Sequence, residues 1–116
     1  MGEKRVNMLR EINMKDEYSD DFDKKRKQAV EMSYYKYGPA RANYGRGLVS
    51  AIDSLKLRLK KYEETGNREY LCDIANFAMF EYMFPQHPNS HYRQTDSCES
   101  PGVVGCPVLE AEEYGK

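Results

Sequence analysis

Apolar and polar positions along the chain alternate with the period of an α-helix. The clearest segment follows Gly47, where apolar residues recur at steps of four, three, four and three: Leu48, Ile52, Leu55, Leu59 and Tyr62. Steps of this kind place the side chains on one side of a helix. We therefore predict a helix here, and we predict that its apolar stripe is the core seam of the protein.

A second helix is predicted over residues 67–85, the most apolar run of the chain. Gly66 is a natural C-cap for the helix before it, and Asn67 is a natural N-cap for the helix after it. Because the connection is so short, the two helices should run antiparallel. The sequence thus predicts a helical hairpin over about residues 45–84.

A third helix is predicted before the hairpin, over about residues 20–37. It should begin after Ser19, which is followed by several aspartates that favour the positive end of a helix. Gly38 and Pro39 should end it. The segment at residues 40–47, ARANYGRG, is interpreted as a glycine-containing connector into the hairpin.

The predicted fold is all-α, a small helical bundle built on an antiparallel hairpin with an irregular C-terminal tail. We divide the chain into an N-terminal arm (1–19), the bundle (20–85) and a C-terminal wrap (86–116), in which Val103 and Val104 could form a short strand. The boundary at 85 follows a change of composition towards Ser, Pro, Gly, His and acidic residues. Such a tail lacks the periodicity of a helix.

Composition limits the classes of function. The chain has 116 residues, enough for one domain, and its 18 basic and 19 acidic side chains nearly cancel. Long apolar runs and an apolar signal core are both lacking, so we expect no membrane partner and a cytoplasmic protein. Three cysteines without an export signal are typical of reduced thiols.

Polar residues interrupt the most apolar helix. Glu69, Asp73, Asn76 and Phe80 lie four, three and four residues apart, so they share one side of that helix. Buried carboxylates need a cation, and two interpretations supply one. In the first, they form ion pairs with cations of neighbouring segments, and Asn76 bonds to a backbone group. The candidate cations are Lys56, Arg58, Lys60, Lys61, Arg41 and Arg46.

The second interpretation is a divalent metal site. Carboxylate oxygens in a helical bundle are the ligands that hold Mg²⁺ beside a substrate phosphate. In this case Glu69 and Asp73 would bind Mg²⁺. Both carboxylates have the same sign one turn apart and repel each other unless a positive group lies between them.

The order of three motifs resembles the MazG-like all-α nucleotide pyrophosphohydrolases, and still more the phage-borne domains grouped as nucleotide-modification-associated. The motifs are a YG-containing loop, K-x-R-L from Lys56 to Leu59, and E-x3-D-I-A-N-F from Glu69 to Phe77. The resemblance covers residues 35–82. It implies a helical bundle that often dimerises, here as a homodimer, and nucleoside triphosphates or modified nucleotides as ligands.

One motif of those pyrophosphohydrolases is missing. They hold Mg²⁺ with an E-x-x-E pair on one helix and an E-x-x-D pair on the next, whereas this chain has no E-x-x-E before Glu69. Two carboxylates instead of four provide few ligands for a metal that activates water. We therefore expect binding of a nucleotide rather than its hydrolysis.

The stretch YYKYGPARANYGRG at residues 34–47 combines cations, tyrosines and glycines. Glycine lets backbone amides approach phosphate closely, and a tyrosine ring can stack on a base. The alternative is that these tyrosines are packing residues and the arginines are solvated. The predicted ligand-binding residues, from this stretch and the two hairpin helices, are Arg41, Asn43, Tyr44, Arg46, Lys56 and Asn76.

The C-terminal segment contains two histidines and two cysteines that are candidate zinc ligands. His87, His91, Cys98 and Cys106 have spacings that fit no standard zinc finger, so we do not expect zinc there. Cys72, within the apolar helix, is interpreted as a small buried hydrophobic residue.

Three functions remain open at the level of the sequence. The leading hypothesis is a phage or prophage accessory protein that binds a nucleotide or a nucleotide-derived small molecule. The first alternative is an interaction module that inhibits a host defence protein through a surface rich in Tyr and Arg, residues favoured at interfaces. The second alternative is a Mg²⁺-dependent nucleoside triphosphate pyrophosphohydrolase.

Overall fold

The computed structural model of the protein describes residues 14–95. A 3₁₀ turn at Met14–Asp16 precedes four α-helices, which we number α1 (Asp20–Tyr37), α2 (Ala40–Tyr44), α3 (Ala51–Thr65) and α4 (Glu69–Met83). No strand occurs within residues 14–95, which confirms the all-α prediction. The predicted strand at Val103 and Val104 lies outside the described residues, as do most of the predicted N-terminal arm and C-terminal wrap.

Helix α1 has the bounds that the sequence predicts. Ser19 caps its first turn, where the Oγ atom accepts a hydrogen bond from the backbone N–H of Phe22 at 3.0 Å. At the other end Gly38 has a φ of 88°, and its N–H donates to the carbonyl of Tyr34 at 2.9 Å. Glycine reaches this conformation without the penalty that a Cβ atom would add.

Helices α3 and α4 form the predicted hairpin and pack along their lengths, and α1 packs against α4. Gly66 ends α3 in the left-handed conformation with a φ of 72°. The side-chain Oδ1 of Asn67 then accepts a hydrogen bond from the N–H of Glu69 at 3.0 Å. The C-cap at Gly66 is therefore confirmed, whereas the N-cap position of α4 is Arg68 and Asn67 bonds to the first helical residue from the position before it. Helix α4 ends before Pro85, also as predicted.

Helix α3 begins later than the sequence pattern predicts. Ser50 caps it by accepting a hydrogen bond from the N–H of Asp53 at 3.1 Å, so the first helical residue is Ala51. Leu48 consequently lies before the helix and is exposed. The start of α3 is set by the serine cap, which satisfies a free backbone amide, and not by the apolar period.

The predicted core seam of α3 is wrong for Leu48, Ile52 and Leu59, which are exposed. The more buried side of the helix is rotated from that stripe. It carries Ala51, which is buried, and then Ser54, Leu55, Arg58 and Tyr62, which are partly buried. Two polar members of this side, Ser54 and Arg58, line a cleft between the helices.

The predicted connector at residues 40–47 contains a short helix, α2. Gly45 closes it with an N–H that donates to the carbonyl of Arg41 at 3.0 Å. The N–H of Val49 then donates to the carbonyl of Asn43 at 2.9 Å, which ties the following turn back to the helix. Position 39 is proline, whose fixed φ suits the start of a helix, and this accounts for the difference from the prediction.

The core of the described structure is small. Its buried residues are Ala51, Cys72, Asn76 and Phe80, three of them on α4. Burial of Cys72 confirms its interpretation as a small core residue, and burial raises the pKa of its thiol. None of the helices within residues 14–95 has the length and apolar character needed to cross a membrane.

Candidate functional site

A cleft of about 450 Å³ opens where α1, α2 and the hairpin meet. Volumes of this size are usual for sites that bind small molecules. Aromatic rings and polar groups both line it. The polar side comes from all four helices and includes Ser33, Tyr37, Asn43, Ser54, Arg58, Asp73 and Asn76.

The aromatic part of the cleft is a cluster around Tyr44. Its ring stacks on that of Phe80, with centroids 4.6 Å apart and planes at 17°, and meets the edge of Phe77 at 6.4 Å. Burial raises the pKa of the Tyr44 phenol, although the positive charge of Arg58 opposes the shift. Asn43 holds α2 in place, since its Nδ2 donates to the carbonyl of Tyr37 at 3.0 Å.

An ion pair forms one wall of the cleft. The Nε of Arg58 on α3 lies 3.3 Å from Oδ2 of Asp73 on α4, and both side chains are partly buried. The distance exceeds the roughly 2.7–2.9 Å of a strong charge-assisted hydrogen bond. Burial raises the pKa of Asp73 above its ordinary value, and the nearby Arg58 only partly offsets this. Arg58 therefore stabilises the charge of the Asp73 carboxylate only in part.

Asn76 is the buried polar residue of the site, only 5% exposed. Its Nδ2 donates to the backbone carbonyl of Arg26 at 2.9 Å, which joins α4 to α1 and confirms the expected bond to a neighbouring backbone. Its Oδ1 has no hydrogen-bond partner within the described part of the chain. A buried acceptor without a donor costs about 1–3 kcal/mol.

The residues predicted to bind a ligand do not lie together. Asn43, Tyr44 and Asn76 line the cleft. Arg41 and Arg46 line a separate groove beside Phe84, and the guanidinium of Arg41 lies 5.4 Å from the centroid of that ring. Lys56, the sixth predicted residue, is exposed on α3 and lines neither the cleft nor the groove.

The predicted metal ligands are placed as follows. Asp73 is engaged with Arg58, and Glu69 is exposed on the first turn of α4. Among residues 14–95, no group of three or more His, Cys, Asp or Glu side chains is arranged to hold a metal ion. His87 and His91 both bond to Asn89 nearby, whereas Cys98 and Cys106 lie outside the described residues. The role of Glu69 and Asp73 in binding Mg²⁺ stays a prediction.

Sequence reasoning missed several residues of the cleft. Arg58 is one of six candidate cations in the sequence, Tyr37 lies in the candidate stretch 34–47 without being named as a ligand-binding residue, and Ser33 of α1 is not assigned to a site. One signal could have found Ser33. It lies on the same side of α1 as Ala29 and Val30, so it is a small hydroxyl within an otherwise apolar packing side.

Comparisons of the chain with protein-family models, with curated proteins and with solved structures found no match. The candidate site is therefore described by its own geometry.

Proposed function

We propose that the cleft binds a nucleotide or a nucleotide-derived small molecule. The observation that carries the proposal is the unpartnered, buried Oδ1 of Asn76 beside the Arg58–Asp73 pair in a cleft of suitable size. The resemblance to MazG-like domains supports the same class of ligand. On that resemblance we further propose an accessory protein of phage or prophage origin.

The chemistry of the cleft matches the parts of a nucleotide. A base presents N–H donors at its edge, and one of them could bond to the Oδ1 of Asn76. The guanidinium of Arg58 has five N–H donors, of which Nε is directed at Asp73. Phosphate and carbonyl oxygens are suitable acceptors for the others. Tyr37, 72% exposed at the cleft, offers a ring on which a base can stack.

A thermal-unfolding screen tests the proposal. The panel consists of nucleosides, nucleoside mono-, di- and triphosphates and base-modified nucleotides, each measured with and without Mg²⁺. A ligand present at about 100 times its dissociation constant should raise the free energy of unfolding by about 2.7 kcal/mol. A panel without any stabilising member would overturn nucleotide binding.

The same panel also addresses hydrolysis. Asp73 is paired with Arg58 and Glu69 is exposed, so we expect no release of pyrophosphate or phosphate with Mg²⁺ or Mn²⁺. Turnover that Asp73→Asn abolishes would replace the binding proposal with a Mg²⁺-dependent pyrophosphohydrolase.

A second candidate function is inhibition of a host defence protein through a protein surface. The observation that favours it is a set of highly exposed tyrosines, since tyrosine is enriched where proteins bind each other. In this case a Tyr35→Ala variant should lose inhibition while its nucleotide binding is unchanged. The exposed tyrosines of α1, α4 and the following segment are Tyr34, Tyr35, Tyr37, Tyr82 and Tyr92.

A further inference from the structure

The lining of the cleft carries no net charge. Among the described residues that line it, Arg58 is the one cation and Asp73 is the one anion, and the two are paired. Arg41 and Arg46 line the groove beside Phe84 instead. Phosphate groups are held by several cationic or other hydrogen-bond donors, and the cleft offers only the remaining N–H groups of one paired guanidinium. The lining therefore suits the base of a nucleotide better than its phosphates.

Three hydrogen-bonding side chains are neighbours on the wall of the cleft. Arg58 has N–H donors besides the Nε that donates to Oδ2 of Asp73 at 3.3 Å. That bond uses one oxygen of the carboxylate, and Oδ1 of Asp73 remains as an acceptor. Asn76 lies one turn further along α4, and its buried Oδ1 is an acceptor without a donor among the described residues. The wall thus presents a donor, an acceptor and a second acceptor.

The hydrogen-bonding edges of the standard bases differ in how they match this order. Guanine presents the O6 acceptor, then the N1–H donor, then the 2-amino donor. Adenine and cytosine present an amino donor followed by a ring-nitrogen acceptor, whereas uracil and thymine present one N–H donor between two carbonyl acceptors. Guanine is therefore the standard base whose edge complements the wall at all three positions.

We propose that the cleft recognises the guanine base of a nucleoside or nucleotide. In this arrangement Arg58 donates to O6, Asp73 accepts from N1–H, and the Oδ1 of Asn76 accepts from the 2-amino group. The ring of Tyr37, exposed at the cleft, stacks on the base. The inference rests on the nucleotide-binding function proposed above and names the base on which that function depends.

Isothermal titration calorimetry of the parent protein with guanosine, inosine, adenosine and GTP tests the inference. Inosine is guanosine without the 2-amino group. It leaves the Oδ1 of Asn76 without a donor, so it should bind at least about tenfold more weakly than guanosine. Adenosine should bind at least as weakly as inosine, because it presents a donor to Arg58 and an acceptor to Asp73. GTP should bind no more tightly than guanosine, because the lining has no net positive charge.

Asp73→Asn and a matched control locate the base in the molecule. The amide keeps the shape of the carboxylate but removes its negative charge, so Asp73→Asn should weaken guanosine binding at least about tenfold. The control is Arg46→Gln, which removes a charge from the separate groove and should leave guanosine binding unchanged. Circular dichroism confirms that both variants are folded.

The outcomes separate this inference from the proposed function. Equal affinities for guanosine and inosine would overturn guanine recognition and leave nucleotide binding in place, as would tighter binding of GTP or of adenosine than of guanosine. A protein that binds no nucleoside or nucleotide would overturn the proposed function, and guanine recognition with it. Guanosine binding that Asp73→Asn leaves unchanged, or that Arg46→Gln abolishes, would overturn the placement of the base against Asp73.

Discussion

The two helices of the hairpin differ in how polarity and burial are matched. Helix α4 conceals polar groups, with Asn76 buried and Asp73 partly buried, whereas α3 exposes the apolar Ile52 and Leu59. Each arrangement costs free energy in an isolated chain, because a concealed polar group lacks water and an exposed apolar group orders it. The concealed polar groups lie at the cleft, and the exposed apolar side chains lie on a different side of the hairpin.

The buried polar group in this comparison is the basis of the proposed ligand site. A buried acceptor such as Oδ1 of Asn76 would be satisfied by a ligand that donates a hydrogen bond, as proposed above. Exposed apolar side chains lack that polar requirement and would be covered by another apolar surface. Positions where polarity and burial do not match are often functional, and the hairpin has both a buried polar position and exposed apolar positions.

The largest expected effect distinguishes the true core from the exposed apolar side. Phe80 is buried and stacks on Tyr44, so Phe80→Ala should lower the free energy of unfolding by about 3–5 kcal/mol. Ile52→Ala, at a position that is 39% exposed, should lower it by less than about 1 kcal/mol. Urea denaturation measures both. Equal losses of unfolding free energy would show that Ile52 belongs to the core. The two helices of the hairpin would then not differ in how polarity and burial are matched.

The next effect concerns the cleft alone. Tyr37→Ala should weaken nucleotide binding by about 1–3 kcal/mol, because a base loses its stacking partner. Tyr35→Ala is the matched control, since Tyr35 is on the same helix, 76% exposed, and does not line the cleft. Isothermal titration calorimetry measures both variants. A ligand that binds both equally well would not occupy this part of the cleft.

Local signals predicted much of the fold. Ser19, Gly66 and Asn67 act through backbone groups a few residues away, so their partners are visible in the sequence. The side of α3 that packs on α4 was not predicted, because it depends on how the helices meet. An apolar period shows which side of a helix is apolar. It does not show whether the rest of the chain covers that side.

The candidate site was predicted only in part for the same reason. Asn76 and Asp73 are recognisable in the sequence as polar residues in an apolar helix, and Tyr44 as a tyrosine beside glycine. The choice of Arg58 over five other cations depends on the crossing of α3 and α4. Arg41 and Arg46 are close to Tyr44 in sequence, but the turn of α2 directs them to another groove.

A smaller effect measures the ion pair of the cleft. In a double-mutant cycle with Arg58→Met and Asp73→Asn, the coupling free energy should be about 0.2–1 kcal/mol, because both side chains are partly exposed and the contact is long. Urea denaturation of the four proteins gives the value. A coupling of several kcal/mol would make the pair a structural element and weaken its assignment to a ligand site.

The smallest effect is on titration. Burial raises the pKa of Asp73, whereas hydrogen bonds from Lys25 to Asp21 and from Lys27 to Asp23 lower the pKa of those two carboxyls. NMR titration of the side-chain carboxyl carbons should therefore give a higher midpoint for Asp73 than for Asp21 and Asp23. A midpoint for Asp73 below those of Asp21 and Asp23 would show that its charge is fully stabilised by Arg58.

The sign of the effect on stability follows from these directions. For Asp73 the folded state binds the proton more tightly than the unfolded state. Its charge therefore destabilises the fold above the raised pKa, and this cost disappears as pH falls through that pKa. For Asp21 and Asp23 the stabilisation is present above the ordinary pKa of an aspartate. It is lost as pH falls through their lowered values.

The central claim is that Asn76 is kept polar for a ligand and not for the fold. Asn76→Leu keeps nearly the same shape and removes the unpartnered Oδ1, so its direct test is the free energy of unfolding without ligand, measured beside nucleotide binding. We predict stability that is unchanged or raised by about 1 kcal/mol, together with lost binding, as expected where function is maintained at the expense of stability. A loss of several kcal/mol with binding intact would contradict the account, because Asn76 would then serve mainly to join α4 to α1.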